Sequence, residues 1–245
     1  MCGIVGATAQ RNVYKILIEG LHRLEYRGYD SAGLSILDSD NVLQTRKTIG
    51  KVADLEAVCK GNFVSGNTGI SHTRWATHGA PSSINSHPHV SAGISIVHNG
   101  IIENHDALRE ELRTAGYERQ SDTDSEVIAH LVHQQLETCT DLRDAVQKTI
   151  TRLEGAYALG VMSDDYPGLI VGARSGSPLV VGVGIDEHFL ASDQMALRQA
   201  TDRFVYLEEG DVVELSSEAF SVFGANGKAV KREIPQMSET DQRDD

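Results

Sequence analysis

The spacing of apolar positions changes period several times along the chain, and each change marks an element. Between residues 13 and 25, Val13, Ile16, Leu17, Leu21 and Leu24 recur at i, i+3, i+4, i+8 and i+11, the stripe of an amphipathic helix, and Gly28 follows as a stop. Residues 33–37 and 42–48 read as strands joined by the turn-rich Asp38-Ser39-Asp40-Asn41. Two more strands are expected at 66–73 and 92–97, around a loop over 75–91 that holds Gly79, Pro81, Asn85 and Pro88. No element is assigned between 49 and 65. A helix is expected over 104–116, with Asn104 as N-cap and Gly116 closing it. The next spans 124–137, where Thr123 and Glu126 have capping-box spacing and Val127, Ile128, Leu131, Val132 and Leu136 form the buried stripe. A third covers 141–153 and buries Leu142, Val146, Ile150 and Leu153. After Gly155, short apolar runs at 156–162, 169–174, 179–184, 188–192, 204–207 and 211–216 predict an antiparallel meander. Ile4-Val5, flanked by glycines, reads as a short buried strand at the very start. The pattern predicts one α+β unit. Residues 233–245 are polar and acidic and read as a disordered tail or the remnant of an interdomain linker.

Charge and cysteine usage narrow the function. A net charge of −13 argues against nucleic acid and against an anionic membrane surface as partner. No signal peptide follows Met1, and no run approaches the ~20 apolar residues of a membrane span. Cys2, Cys59 and Cys139 form an odd set without a C-x-x-C pair, which points to a reducing cytoplasm and at most one thiol with a chemical role. The expectation is a cytoplasmic chain directed at a small molecule.

Cys2 is the candidate for that role. Its small side chain lets aminopeptidases remove Met1, leaving a thiol and a free α-amine on one carbon. A thiol of pKa about 8.5 then stands beside an amine of about 7.7–8.0, a nucleophile with its base attached. Four further clusters have both a plain and a chemical reading. Arg27 to Gly33 is a helix-to-strand connection or a binding turn. Ser71 to Gly79 places Arg74 beside Trp75, the only tryptophan, and suits either a surface strand or the binding and covering of an anion. His98-Asn99-Gly100 contains a hairpin-turn dipeptide, which could instead offer an amide and a backbone N–H to one oxyanion. In Ser121 to Glu126, capping accounts for Thr123 and Glu126 and leaves Asp124 for the helix dipole or a substrate ammonium. Among the ten histidines, neither His87-Pro88-His89 nor the face of Glu126, His130, His133 and Glu137 has an established metal spacing; that face lies opposite the buried stripe, where polar residues belong. No metal and no cofactor is expected.

Taken in register, Cys2-Gly3-Ile4-Val5-Gly6, Arg23 to Gly33, His72 to Gly79 and His98-Asn99-Gly100 resemble the glutaminase domains of the glucosamine-6-phosphate synthases (glutamine:fructose-6-phosphate aminotransferases), a branch of the class II, N-terminal-nucleophile glutamine amidotransferases. The resemblance covers about residues 2–230. It implies a four-layer αββα sandwich of two antiparallel sheets, with residues 2–232 as the glutamine amidotransferase type 2 domain. It implies L-glutamine as substrate and Cys2 as nucleophile, with Asn99 and the Gly100 N–H as oxyanion hole. Arg74, Thr77 and His78 would hold the α-carboxylate, and Asp124 with the Gly100 carbonyl the α-ammonium. Trp75 would close the pocket and Arg27 steady the nucleophile. Synthases of this kind continue into a larger sugar-phosphate isomerase half, which this sequence lacks, so it reads as a cut-out domain or a separate glutaminase. Another amidotransferase branch and a non-catalytic module retaining the fold are the competing readings.

Overall fold

The first strand, β1 (Gly3–Ala9), is buried at all seven positions. Alternate side chains serve two different cores: Val5, Ala7 and Ala9 pack toward helices, Ile4 toward a second sheet. An antiparallel strand covered on both faces loses the usual apolar/polar alternation, which is why this stretch is uniformly small or apolar. The structure is a computed structural model and describes residues 2–75 and 79–234.

In the first sheet β1 lies between β4 (Thr68–Arg74) and β10 (Glu187–Ala191). Beyond β4 come β2 (Ser31–Leu37) and β3 (Leu43–Ile49); beyond β10 come β9 (Val180–Val183) and β11 (Phe204–Tyr206). In the second sheet β6 (Ile94–Ile102) lies between β7 (Gly155–Ser163) and the edge strand β5 (His89–Ser91). Beyond β7 run β8 (Ile170–Ser175), β12 (Val212–Leu215), β13 (Phe220–Phe223) and β14 (Ala229–Val230). Every ladder between named strands is antiparallel.

Helices α1 (Tyr14–Leu24) and α2 (Val52–Gly61) cover the outer face of the first sheet. Leu17, Leu21 and Leu24 of α1 are buried there, each contributing about 1.5–3 kcal/mol relative to an exposed side chain. Helices α3 (His105–Thr114), α4 (Glu126–Leu136) and α5 (Leu142–Ile150) cover the second sheet. The middle layer, with Ile4, Ile70, Val97, Ala158, Met162, Leu190 and Val213, joins the two sheets. The result is the αββα sandwich that the resemblance implied. Among the described residues no helix is long and apolar enough to cross a membrane.

Several local expectations are corrected. Helix α2 has no counterpart in the sequence reading; its buried positions are only Val52, Leu55 and Cys59, too thin a stripe to stand out. Strand β6 runs on through His98-Asn99-Gly100, so the Asn-Gly pair sits opposite Ala158 and Tyr157 of β7 and makes no turn. Asn104 precedes α3 without capping it. Its side chain instead donates to the Arg152 carbonyl (2.9 Å) and accepts from Glu154 N–H (3.1 Å). The capping box at Thr123 and Glu126 is absent as well. Thr123 Oγ1 pairs with His89, while the Glu126 carboxylate accepts from Gln120 N–H, Ser121 N–H and the Ser121 hydroxyl. Glu126 and His130 are buried, since α4 is enclosed on nearly every side over its first two turns. The short β13 and β14 also went unassigned. Thr77, His78 and residues 235–245 lie outside the described residues, as does the side chain of Arg27.

Candidate active site

Main-chain pairing delivers Cys2 to its place. The Ile4 N–H donates to Ser192 Oγ (3.0 Å) and Ser192 N–H donates back to the Ile4 carbonyl (3.1 Å), pinning β1 two residues after Cys2. Gly3 pairs with Thr73, so the exit of β4 brings Trp75 alongside. The Trp75 N–H donates to Cys2 Sγ at 3.2 Å, and the thiol reaches the Trp75 carbonyl at 3.6 Å. From the facing sheet, Asn99 Nδ2 donates to the Cys2 carbonyl at 3.1 Å. Gly100, next along β6, has φ 139°, and a Cβ there would lie 1.9 Å from the Ala156 carbonyl oxygen, so only glycine fits. Asp124 enters from the segment before α4 and is fixed by Ile102 N–H, which donates to Oδ2 at 2.8 Å.

Cys2, Trp75, Asn99, Gly100 and Asp124 thus share the wall of one cavity of about 610 Å³. That is ample for an amino acid by the ~300–1,000 Å³ range of small-molecule sites. Ser177, Pro178 and Ser192 complete the far side. The sequence gives no local sign of these three, because strand order alone carries them there. Arg74 is buried beside the site but does not line the cavity: its guanidinium donates to the Gly79 carbonyl (3.3 Å) and lies 3.9 Å from Asp30 Oδ1. Trp75 engages Cys2 through its backbone and is half exposed.

A buried histidine cluster adjoins the site, with His87 and His98 in the cavity wall and His72 and His89 beyond them. The His87 ring sits 4.2 Å from His72 and 4.7 Å from His89. Burial, reinforced by mutual repulsion, pushes His72 down to about 3 and His87 and His89 well below the usual imidazole range. His98 is lowered too, by burial against the opposing pull of Asp124. All four rings are therefore neutral and weakly basic at physiological pH. Burial also raises the Cys2 thiol; the Trp75 N–H and the Arg74 charge pull the other way without reversing it. At neutral pH the resting thiol keeps its proton, so its chemistry needs a base within reach. Among the described residues no group of three or more His, Cys, Asp or Glu side chains is arranged to hold a metal.

The chain is 56% identical over 240 residues to a glutamine–fructose-6-phosphate aminotransferase [isomerizing] of Pseudomonas putida, covering 98% of this chain and 39% of the relative. A protein of the same description from Vibrio vulnificus is 57% identical over 238 residues, covering 97% and 39% respectively. The chain thus spans about two fifths of the length of the curated relatives it matches. Among solved structures, the glutamine phosphoribosylpyrophosphate amidotransferase of B. subtilis superposes with a TM-score of 0.78 at 26% identity, over 93% of this chain and 50% of that one. A family profile described as a glutamine amidotransferase domain matches residues 72–199, the stretch that carries Asn99, Gly100, Asp124 and the histidine cluster. With a thiol, an amide donor and a carboxylate converging on one cavity and more than half its length matched, the chain belongs to the glutamine amidotransferase domain family.

Proposed function

We propose that this chain hydrolyses the side-chain amide of L-glutamine to glutamate and ammonia through a γ-glutamyl thioester on Cys2. The observation that most supports it is the Asn99 amide N–H₂ donating to the Cys2 carbonyl at 3.1 Å across the seam between the sheets, with Cys2 lining the cavity. Removal of Met1 would give Cys2 a free α-amine. That amine, at about 7.7–8.0, matches the thiol far better than the neutral buried histidines do. The amine takes the thiol proton and the thiolate attacks the side-chain amide carbon. The oxyanion meets Asn99 Nδ2 and the Gly100 N–H. The ammonium returns its proton to the departing ammonia, and water then cleaves the thioester. Arg74, with Thr77 and His78, is assigned to the substrate α-carboxylate, and Asp124 with the Gly100 carbonyl to the α-ammonium. Trp75 covers the bound substrate and Arg27 steadies the nucleophile end.

The relatives at 56–57% identity support a narrower reading, in which the ammonia serves amino-sugar synthesis from fructose 6-phosphate by an isomerase half outside this chain. On that reading residues 2–232 form the amidotransferase domain and 233–245 a tail or linker, and the setting is the cytoplasm, where a nucleophilic thiol stays reduced. All three cysteines are free, as that setting requires.

The test is the intact mass of the purified chain before and after an electrophilic glutamine analogue. Loss of one Met and a single adduct on Cys2, blocked by excess glutamine, is the expected result. A retained Met1 with no adduct, or substantial turnover by Cys2→Ala, would overturn the assignment. Arg74→Ala should raise the KM for glutamine, and an unchanged KM would remove Arg74 from the carboxylate site.

A further inference from the structure

Asn99 can help an oxyanion only if its amide faces the right way. A primary amide turned over about its last bond presents an oxygen in place of two N–H donors at almost no steric cost. An oxygen aimed at a developing oxyanion would oppose the reaction instead of assisting it. Something must therefore choose the orientation, and the choice is made from the opposite sheet. His72 Nε2, on β4, lies 2.9 Å from Asn99 Oδ1 and 3.0 Å from the His98 carbonyl oxygen. The carbonyl can only accept, so Nε2 must carry the hydrogen. An N–H at that position in turn requires the amide oxygen of Asn99 to face it. The N–H₂ then has one direction left, toward Cys2, and there it is found. We propose that His72 is a positioning residue, whose Nε2–H fixes the Asn99 amide with its donors toward the nucleophile. The inference rests on the reading of Asn99 as an oxyanion donor.

The surroundings hold this tautomer. His72 is 1% exposed, and its other ring nitrogen, Nδ1, has no partner among the described residues. A second proton would be stranded there without an acceptor, and burial opposes the charge. The ring is packed in place by His87, at 4.2 Å between centroids. That packing depends on Gly33, the β2 neighbour of His72, where a Cβ would lie 2.1 Å from the His87 carbonyl oxygen. The glycine that looked like part of a binding turn therefore lets a second histidine press against the first.

Substitutions that move one donor by one methylene decide the matter. Glutamine at position 72 can place an N–H near the site of Nε2, whereas asparagine, equally polar, falls short. In glutamine hydrolysis by the purified chain, His72→Asn should lower kcat roughly 10–100-fold, less than the ~10²–10³ expected for loss of the donor itself, with KM within about threefold. His72→Gln should recover most of that loss. In an Asn99→Ala background, His72→Asn should cost less than about threefold more, because nothing remains to orient. A purely structural role would give equal losses in both backgrounds, or equal losses for Gln and Asn, and either outcome overturns the proposal. Melting temperatures identify a variant that has failed to fold; should that be His72→Asn, His72→Leu, which also lacks a donor at the Nε2 position, takes its place beside His72→Gln with Asn99 intact. Wild-type kcat for Asn99→Ala would remove the oxyanion reading beneath the proposal. A defective Asn99→Ala beside a fully active His72→Asn would remove the proposal alone.

Discussion

Replacing Gly100 with alanine puts the packing of the proposed oxyanion site under a measurable load. Gly100 has φ 139°, a conformation L side chains rarely adopt. A Cβ there would meet the Ala156 carbonyl oxygen at 1.9 Å and His98 Nε2 at 3.0 Å. Ordinary contact begins near 3.4 Å, so the β7 carbonyl would have to retreat by about 1.5 Å within the β6–β7 ladder, the longest in the second sheet. Two costs combine: about 1–3 kcal/mol for the backbone conformation and about 1–3 for overpacking. For a chain of this size that corresponds to a fall in Tm of roughly 5–15 °C. The effect on rate is separate. Relief of the collision displaces the Gly100 N–H by an amount of order 1 Å, and misplacement on that scale costs about 10² in rate. Glutamate release well below the variant's Tm should therefore be about 100-fold slower. Gly116→Ala is the control: φ is 95° but nothing lies within 4 Å, so strain comes without collision. It should lose about 1–2 kcal/mol and keep its kcat. A Gly100→Ala enzyme within about threefold of wild-type kcat, or no less stable than Gly116→Ala, would refute the reasoning.

Other expectations follow from the buried charges. His72, His87 and His89 are neutral in the fold with pKa values below the unfolded ~6.5, so the unfolded chain binds protons first as pH falls. Stability should be level above pH 7 and decline from about pH 6.5 downward by up to ~1.4 kcal/mol per pH unit per histidine; a urea midpoint unchanged between pH 7 and pH 5 would contradict this. Glu126, held at about 2 against the effect of burial by hydrogen bonds from Ser121 and Gln120 and by His130 Nε2 at 3.8 Å, ties down the segment that carries Asp124. Glu126→Gln should cost about 1–3 kcal/mol of stability and raise KM several-fold with kcat little changed; identical KM and Tm would exclude the tether. Asp124→Asn removes the proposed partner of the substrate ammonium and should lower kcat/KM roughly 10–100-fold, from a charged hydrogen bond of about 1.5–3 kcal/mol. Steady-state kinetics with glutamine would exclude that partnership if the value stayed within twofold.

How much of this could be read from the sequence depended on whether the signal was local. Helices α1 and α5 and the strands after Gly155 were legible because one-sided burial writes its period into the sequence. The short motifs located Cys2, Asn99, Gly100 and Asp124, and all four reach one cavity. What failed were particular inferences from a dipeptide or a capping spacing to a local conformation. Asn99-Gly100 signalled a turn, yet pairing with β7 keeps it extended. Thr123 and Glu126 had capping spacing, yet their side chains are drawn to His89 and to the backbone of Gln120 and Ser121. The polar face expected on α4 is covered instead, with His130 bonded to Ser91 of β5. For Asn99-Gly100, Thr123 and His130 a partner distant in sequence displaced the local one, and such partners leave no mark on neighbouring residues.

One wall of the reaction space belongs to each sheet: Cys2 and Trp75 issue from the first, Asn99 and Gly100 from the second. The gap a scissile bond must span is therefore the thickness of a lamination, set by how Ile4, Ile70, Val97 and Ala158 stack between the slabs. The interior of this protein acts as a caliper. A change of one methyl in its filling can leave both slabs intact and still open or close the jaws, so turnover registers packing errors too small for a melting curve to see.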